Sequence, residues 1–195
     1  MNIKKPYLIF LALMILGLLG FYTIQLGYYP VAIVNSHIIS EFSYRESLLS
    51  AEHYYTKLID SYPNDSISEA IPSSSAELRR LMLEQMIENV LIEDELSKRV
   101  GGNVENLVEK KFEPLNVSSK EFREGVTALY GLSVDRFKAL ILEPKARAEI
   151  LEEQIKTDES EFSDWSLEAR KKARVFVFAR DLNWDGEKVV LRNAQ

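Results

Sequence analysis

Residues Tyr7 to Leu26 form a run of twenty positions without a single charged side chain. Twenty helical residues reach about 30 Å, the thickness of a bilayer's hydrocarbon core. A helix buried in a soluble core ordinarily keeps a polar face. In this run only Thr23 and Gln25 are clearly polar. The run therefore predicts a transmembrane helix over residues 7-26. Lys4 and Lys5 precede it, and no Lys or Arg occurs from Gly27 to Ser40. The bias of basic residues towards the cytoplasmic side then makes residues 1-6 a cytoplasmic tail and residues 27-195 an extracytoplasmic domain of a single-pass cell-membrane protein. A cleaved signal peptide fits less well, because its apolar region spans only about 7–15 residues and ends in a small-residue cleavage site.

The chain carries a net charge of −6 with both early lysines counted, so the remainder is more acidic still. An acidic surface repels nucleic acid, and no nucleic-acid partner is expected. There is no cysteine, which removes disulfides and thiolate metal sites. The exported part must be held by its core alone, and about 165 residues suffice for that.

Val31 to Val34 is short and β-branched, Asn35-Ser36 is a turn, and Ile38-Ile39 continues as a second extended stub. Ser40 can cap a helix reaching to about Asp60, with Leu48, Ala51, Tyr55, Leu58 and Ile59 at helical spacing. Asn64 to Ser75 is Ser-rich and reads as a loop. Ser74 and Glu77 form a capping box that opens a helix running to Val100 and stopped by Gly101-Gly102. Leu78, Leu81, Met82, Leu83, Met86, Ile87, Val90, Leu91, Ile92 and Leu96 cover more than half of its circumference. Only a strip with Arg80, Glu84, Glu88 and Glu95 is polar, so this helix is expected at the centre of the domain.

A short helix follows over Asn103 to Lys111. Another starts at a capping box of Ser118 and Glu121 and ends at Gly131. Ser133 caps a third, which carries Phe137 and Ile150 and should kink or break near Glu143 because Pro144 lacks an amide hydrogen. Asp158 to Asp164, with Glu159 and Glu161, reads as a solvated connector. Trp165 to Ala173 is a last helical piece. Arg174 to Ala179 and Lys188 to Leu191 are strands by composition, and Asn183 to Gly186 is a turn signal. They predict a terminal β-hairpin over about 174-192, packed beside the Val31 to Val34 strand. The expected fold class is mainly α with a small antiparallel β element, one transmembrane helix preceding a helical domain.

The order of these parts resembles the N-terminal chaperone domain of SurA/PrsA-like, parvulin-type foldases. Val31 to Ile39 follows the pattern V-A-x-V-N-G-x-x-I with Ser36 in place of Gly. Leu78 to Gly101 follows the family's long apolar helix. Val117 to Phe122 and Tyr130 to Phe137 are similar to its short linker helices. The family often continues into a prolyl isomerase domain beginning near A-R-x-x-H-I-L-V. Here Ala173 to Phe178 lacks that histidine. The resemblance implies a holding or assembly module without isomerase activity.

No catalytic constellation is apparent. His37 and His53 sit at no triad or metal-ligand spacing, and neither G-x-S-x-G nor S-x-x-K occurs. Asp181 to Gly186 matches the opening half of a calcium loop, but Arg192 stands where a bidentate glutamate is needed, so a plain turn is the better reading. No metal and no cofactor are expected. Adaptable apolar surface suits the holding of unfolded segments, and Met82, Met86, Phe122, Tyr130 and Phe137 are the candidate peptide-binding residues. Each is also an ordinary core residue type. The expected function is a membrane-anchored, extracytoplasmic holdase whose partners are unfolded or exported polypeptides, with residues 7-26 in the membrane. The alternative is a scaffold subunit docking one envelope protein. Oligomeric state is left open by the sequence.

Overall fold

The computed structural model describes residues 4–25, 27–61, 72–157 and 161–192. Most of the expected Ser-rich loop, and Asp158 and Glu159 of the expected acidic connector, lie outside them. The fold is mainly helical with two small antiparallel sheets.

Helix α1 (Lys4–Gln25) takes in the apolar run as far as Gln25. Its described side chains are exposed, from 49% at Ile15 to 71% at Tyr7, so none of them belongs to the domain core. A span requires about 20 consecutive apolar residues in one helix. Among the described residues no helix is long and apolar enough to cross a membrane. This corrects the expected single-pass anchor over 7-26 and the placement of the two flanking parts on opposite sides of a membrane.

Strands β1 (Pro30–Val34) and β2 (His37–Ser40) form the expected hairpin. Asn35 takes φ 54, and Ser36 is not in the positive-φ region. Asparagine tolerates that conformation better than other non-glycine residues, so the Ser in place of Gly is accommodated by a turn with one left-handed residue. Asn35 also ties three elements together. Its Nδ2 donates to Asp94 (2.9 Å), its Oδ1 accepts from the Arg174 amide (3.2 Å), and its own amide donates to the Arg174 carbonyl (2.8 Å).

Helix α2 (Glu41–Ser61) starts at Ser40, whose Oγ accepts from the Ser43 amide. Helix α3 (Ser75–Val100) starts at Ser74, whose Oγ accepts from the Glu77 amide, and ends at Gly101 with φ 60. Helices α4 (Val104–Phe112) and α5 (Lys120–Tyr130) follow. The cap of α5 is Ser119, one residue later than the sequence suggests. The next helical stretch comprises α6 (Val134–Phe137), a π-helical segment over Lys138–Leu142, and α7 (Glu143–Thr157). The wider π turn sits immediately ahead of Pro144 and accommodates its missing amide hydrogen without ending the helix. Helix α8 (Phe162–Lys172) begins earlier than expected, taking Phe162 to Asp164 out of the connector.

The terminal hairpin is built from other residues than expected. β3 (Val175–Val177) pairs with β1, completing a sheet of order β2-β1-β3. β4 (Leu182–Trp184) pairs instead with β5 (Val189–Leu191). Asn183 and Trp184 are strand residues, and the turn is made by Asp185, whose Oδ1 accepts from the Glu187 and Lys188 amides (both 2.9 Å). Those amide bonds, Glu187 first, hold the Asp185 carboxyl below its ordinary range. The Asp181 carboxylate is engaged by Arg79 at 2.7 Å.

Helix α3 lies at the centre, against α2, α4, α7, α8 and both sheets. Leu83, Ile87 and Leu91 pack on Val31, Ala32, Val34, Leu182 and Val189. Ile92 and Leu96 pack on Val104, Val108, Ile150, Leu151 and Ile155. A satellite core of Val126, Leu132 and Phe137 joins α5 to α6. The polar strip of α3 is covered as well. Arg170 of α8 donates to Glu84 (2.9 Å) and Glu88 (2.8 Å), and Ser166 donates to Glu88 (2.7 Å). Arg80 pairs with Glu77 and Glu84 and donates to the Val189 carbonyl at 3.1 Å. Arg170 is only 19% exposed, so Arg170→Ala leaves two carboxylates without their shared cation. The substitution should lower stability by about 1–3 kcal/mol, read as a lower urea midpoint with an unchanged slope.

Candidate functional site

A cleft of about 500 Å³ opens between α2, α3 and the α6–α7 arm, a size typical of ligand sites, about 300–1,000 Å³. Met82, Gln85, Met86, Asn89 and Ile92 of α3 line it along one face, one helical turn apart. Ser47, Ser50, Ala51, Tyr54 and Tyr55 of α2 line it from one side. Leu140 and Ile141 from the π-helical segment, and Pro144, Lys145 and Ala148 from α7, line it from the other. Tyr130 and Phe162 complete the lining.

Of the five residues singled out in the sequence, the structure brings Met82, Met86 and Tyr130 to this cleft. Phe137 is buried at 7% exposure in the satellite core, and Phe122 is packed against that core rather than lining the cleft. Tyr130 stacks on Tyr54 with centroids 5.0 Å apart and rings 9° from parallel. It meets Phe137 at 4.8 Å, and Phe137 meets Phe122 edge-on at 6.0 Å. This row of rings joins α2 to α5 and α6, and an ion pair of Arg136 with Glu46 bridges the same elements. His53 has Nε2 3.0 Å from the Ala128 carbonyl. A carbonyl only accepts, so that nitrogen carries the hydrogen. The ring also packs 3.5 Å from where a Cβ at Gly131 would sit.

The cleft's electrostatics are close to neutral. Glu88 is its one lining carboxylate, and Arg170 and Ser166 already bind it. Lys145 is exposed at the lining and makes no ion pair among the described residues. Burial raises the Tyr130 phenol above its ordinary range, with the neighbouring Tyr54 adding to the effect. Ser50 is 5% exposed, and its Oγ has no hydrogen-bond partner among the described residues. Among the described residues no histidine lines the cleft. Among the described residues no group of three or more His, Asp or Glu is placed to hold a metal ion.

Sequence reasoning missed Tyr54, Gln85, Asn89 and Phe162. Gln85 and Asn89 were legible in principle, because they alternate with Met82 and Met86 on one helical face. Phe162 was assigned to a solvated connector.

No family model matches the chain. Comparison with curated proteins and with solved structures gives no match either.

The ring row carries a stability prediction. Tyr130→Ala removes one stacked and one tilted ring contact at a half-buried position and should cost about 2 kcal/mol, whereas Tyr130→Phe should stay within about 0.5 kcal/mol. Thermal unfolding of the two variants checks this. Gly131→Ala, at φ 66, should cost about 1 kcal/mol in the same measurement.

Proposed function

We propose that this chain is a non-catalytic holdase that binds unfolded polypeptide segments in the cleft between α2, α3 and α7. The observation that carries the reading is the cleft itself: an open, mainly apolar cavity floored by Met82 and Met86 and lacking any reactive grouping. Unbranched thioether side chains adapt to segments of varied shape, as a protein that binds many clients requires. The ordered resemblance to the N-terminal chaperone domain of the SurA/PrsA-like foldases supports the same reading. So does the absence from Ala173 to Phe178 of the histidine that opens their isomerase domain.

A second reading, a scaffold that docks one particular protein, is favoured by a different feature. Ile38, Ile33 and Phe176 are neighbours across the three strands of the first sheet, and Ile38 and Phe176 are 64% and 61% exposed. Phe178, two residues on, is also exposed. An apolar row of this kind suits a fixed partner surface. Crosslinking in the native setting separates the two readings: one stoichiometric partner favours the scaffold, and many weak clients favour the holdase.

The holdase reading is tested by light scattering of a chemically reduced, aggregating client protein. The chain should suppress scattering, and the double substitution Met82→Glu and Met86→Glu should raise the amount needed for half-suppression by on the order of tenfold. Unaffected aggregation at several-fold molar excess of the wild-type chain refutes the reading.

A further inference from the structure

The floor of the cleft alternates two kinds of side chain along α3: Met82 and Met86 are apolar, and Gln85 and Asn89 are carboxamides. Gln85 is exposed and Asn89 partly so. Neither amide has a hydrogen-bond partner among the described residues. The Ser50 hydroxyl in the same lining has none either. An apolar cavity that contained only side-chain pockets would not require these groups. Each carboxamide offers two donors and an acceptor, the complement of a main-chain amide.

Their spacing narrows the ligand. Residues four apart on a helix are separated by about 6 Å along its axis. Residues two apart in an extended chain are separated by about 6.6 Å and point the same way. A strand-like segment lying along α3 therefore presents a main-chain amide to Gln85 and the next same-facing one to Asn89. Its alternate side chains fall beside Met82 and Met86 at a matching interval. A helical segment has its own main-chain groups paired internally and would leave both carboxamides unsatisfied.

With Glu88 already bound by Arg170 and Ser166, Lys145 is the lining charge left without an ion pair among the described residues, which disfavours a basic segment.

We infer that the cleft holds an extended, largely apolar polypeptide segment along α3, with the Gln85 and Asn89 carboxamides hydrogen-bonded to its main chain. This rests on the reading of the cleft as a peptide site and adds the conformation it selects.

The test uses the full chain and three fluorescein-labelled probes: a ten-residue peptide of alternating leucine and serine, its analogue with esters replacing the internal amides, and a hydrocarbon-stapled helix of the same composition. Fluorescence anisotropy should show the parent peptide binding about tenfold or more tightly than either of the other two, the effect of losing a pair of main-chain hydrogen bonds. The double variant Gln85→Ala and Asn89→Ala should bring the parent down to the level of the ester analogue or below it. The ester analogue keeps its carbonyl acceptors but has no internal N–H donor, so it should lose less affinity than the parent on the double substitution, and its residual binding reports that the cleft is intact. Equal affinities for all three probes, or a preference for the stapled helix, would overturn the inference while leaving the holdase reading in place. Absence of binding by every probe would overturn both.

Discussion

Glu84 and Glu88, one turn apart on α3, converge on the single guanidinium of Arg170. A helix that is apolar around most of its circumference can sit at the centre of a domain only if its remaining polar strip is also covered at low cost. Carboxylates under a packed helix are expensive when unpaired. Here Arg170 and Ser166 supply the compensating donors from α8, while Arg80 closes the other end against the Val189 carbonyl. The pairing lets α3 bury against both sheets on one side and against α4 and α7 on the other. The two main cores and the cleft are then all referenced to one rigid element.

That arrangement also shapes the cleft. Because Glu88 is neutralised by α8, the face of α3 between α2 and α7 presents sulfur, carboxamide and aliphatic groups rather than charge. The walls are held by the Tyr54, Tyr130 and Phe137 rings and by the ion pair of Arg136 with Glu46. Methionines on a stiff helix, with tyrosines at the sides, combine an adaptable floor with fixed walls.

The parts of this fold that depend on neighbours in the chain were legible in the sequence. Ser40, Ser74 and Ser133 cap the helices they were expected to cap, and Gly101 and Gly131 stop theirs at positive φ. The apolar pattern of α3 announced its central place. What depends on distant partners was not legible. Val175 to Val177 and Val189 to Leu191 are alike in composition, yet the first pairs with β1 and only the second closes a hairpin. The segment between them is too long for a tight turn and contains the additional strand β4. The run from Tyr7 to Leu26 was legible as a helix, but the span inferred from it is not supported among the described residues. In the cleft, the methionines and Tyr130 were recognisable by type. Gln85 and Asn89 were passed over because amides on a helix face look like ordinary solvated positions until the neighbouring helices place them in a cleft lining.

The π turn at Lys138–Leu142 has a consequence for how this chain tolerates change. Glu143 donates its amide to the Lys138 carbonyl, five residues back, which is one residue more than an α-helix holds in the same arc. Removing one residue from this segment would restore α-helical winding and keep Ala146, Ile150 and Leu151 facing the core. The regular winding would, however, drive the Pro144 ring into a carbonyl it now avoids. Loss of the surplus residue alone is thus harmful, whereas its loss together with replacement of the proline is compatible with the packing. An insertion or deletion anywhere else in α7 has no such partner and would rotate the whole downstream face out of register by about 100° per residue.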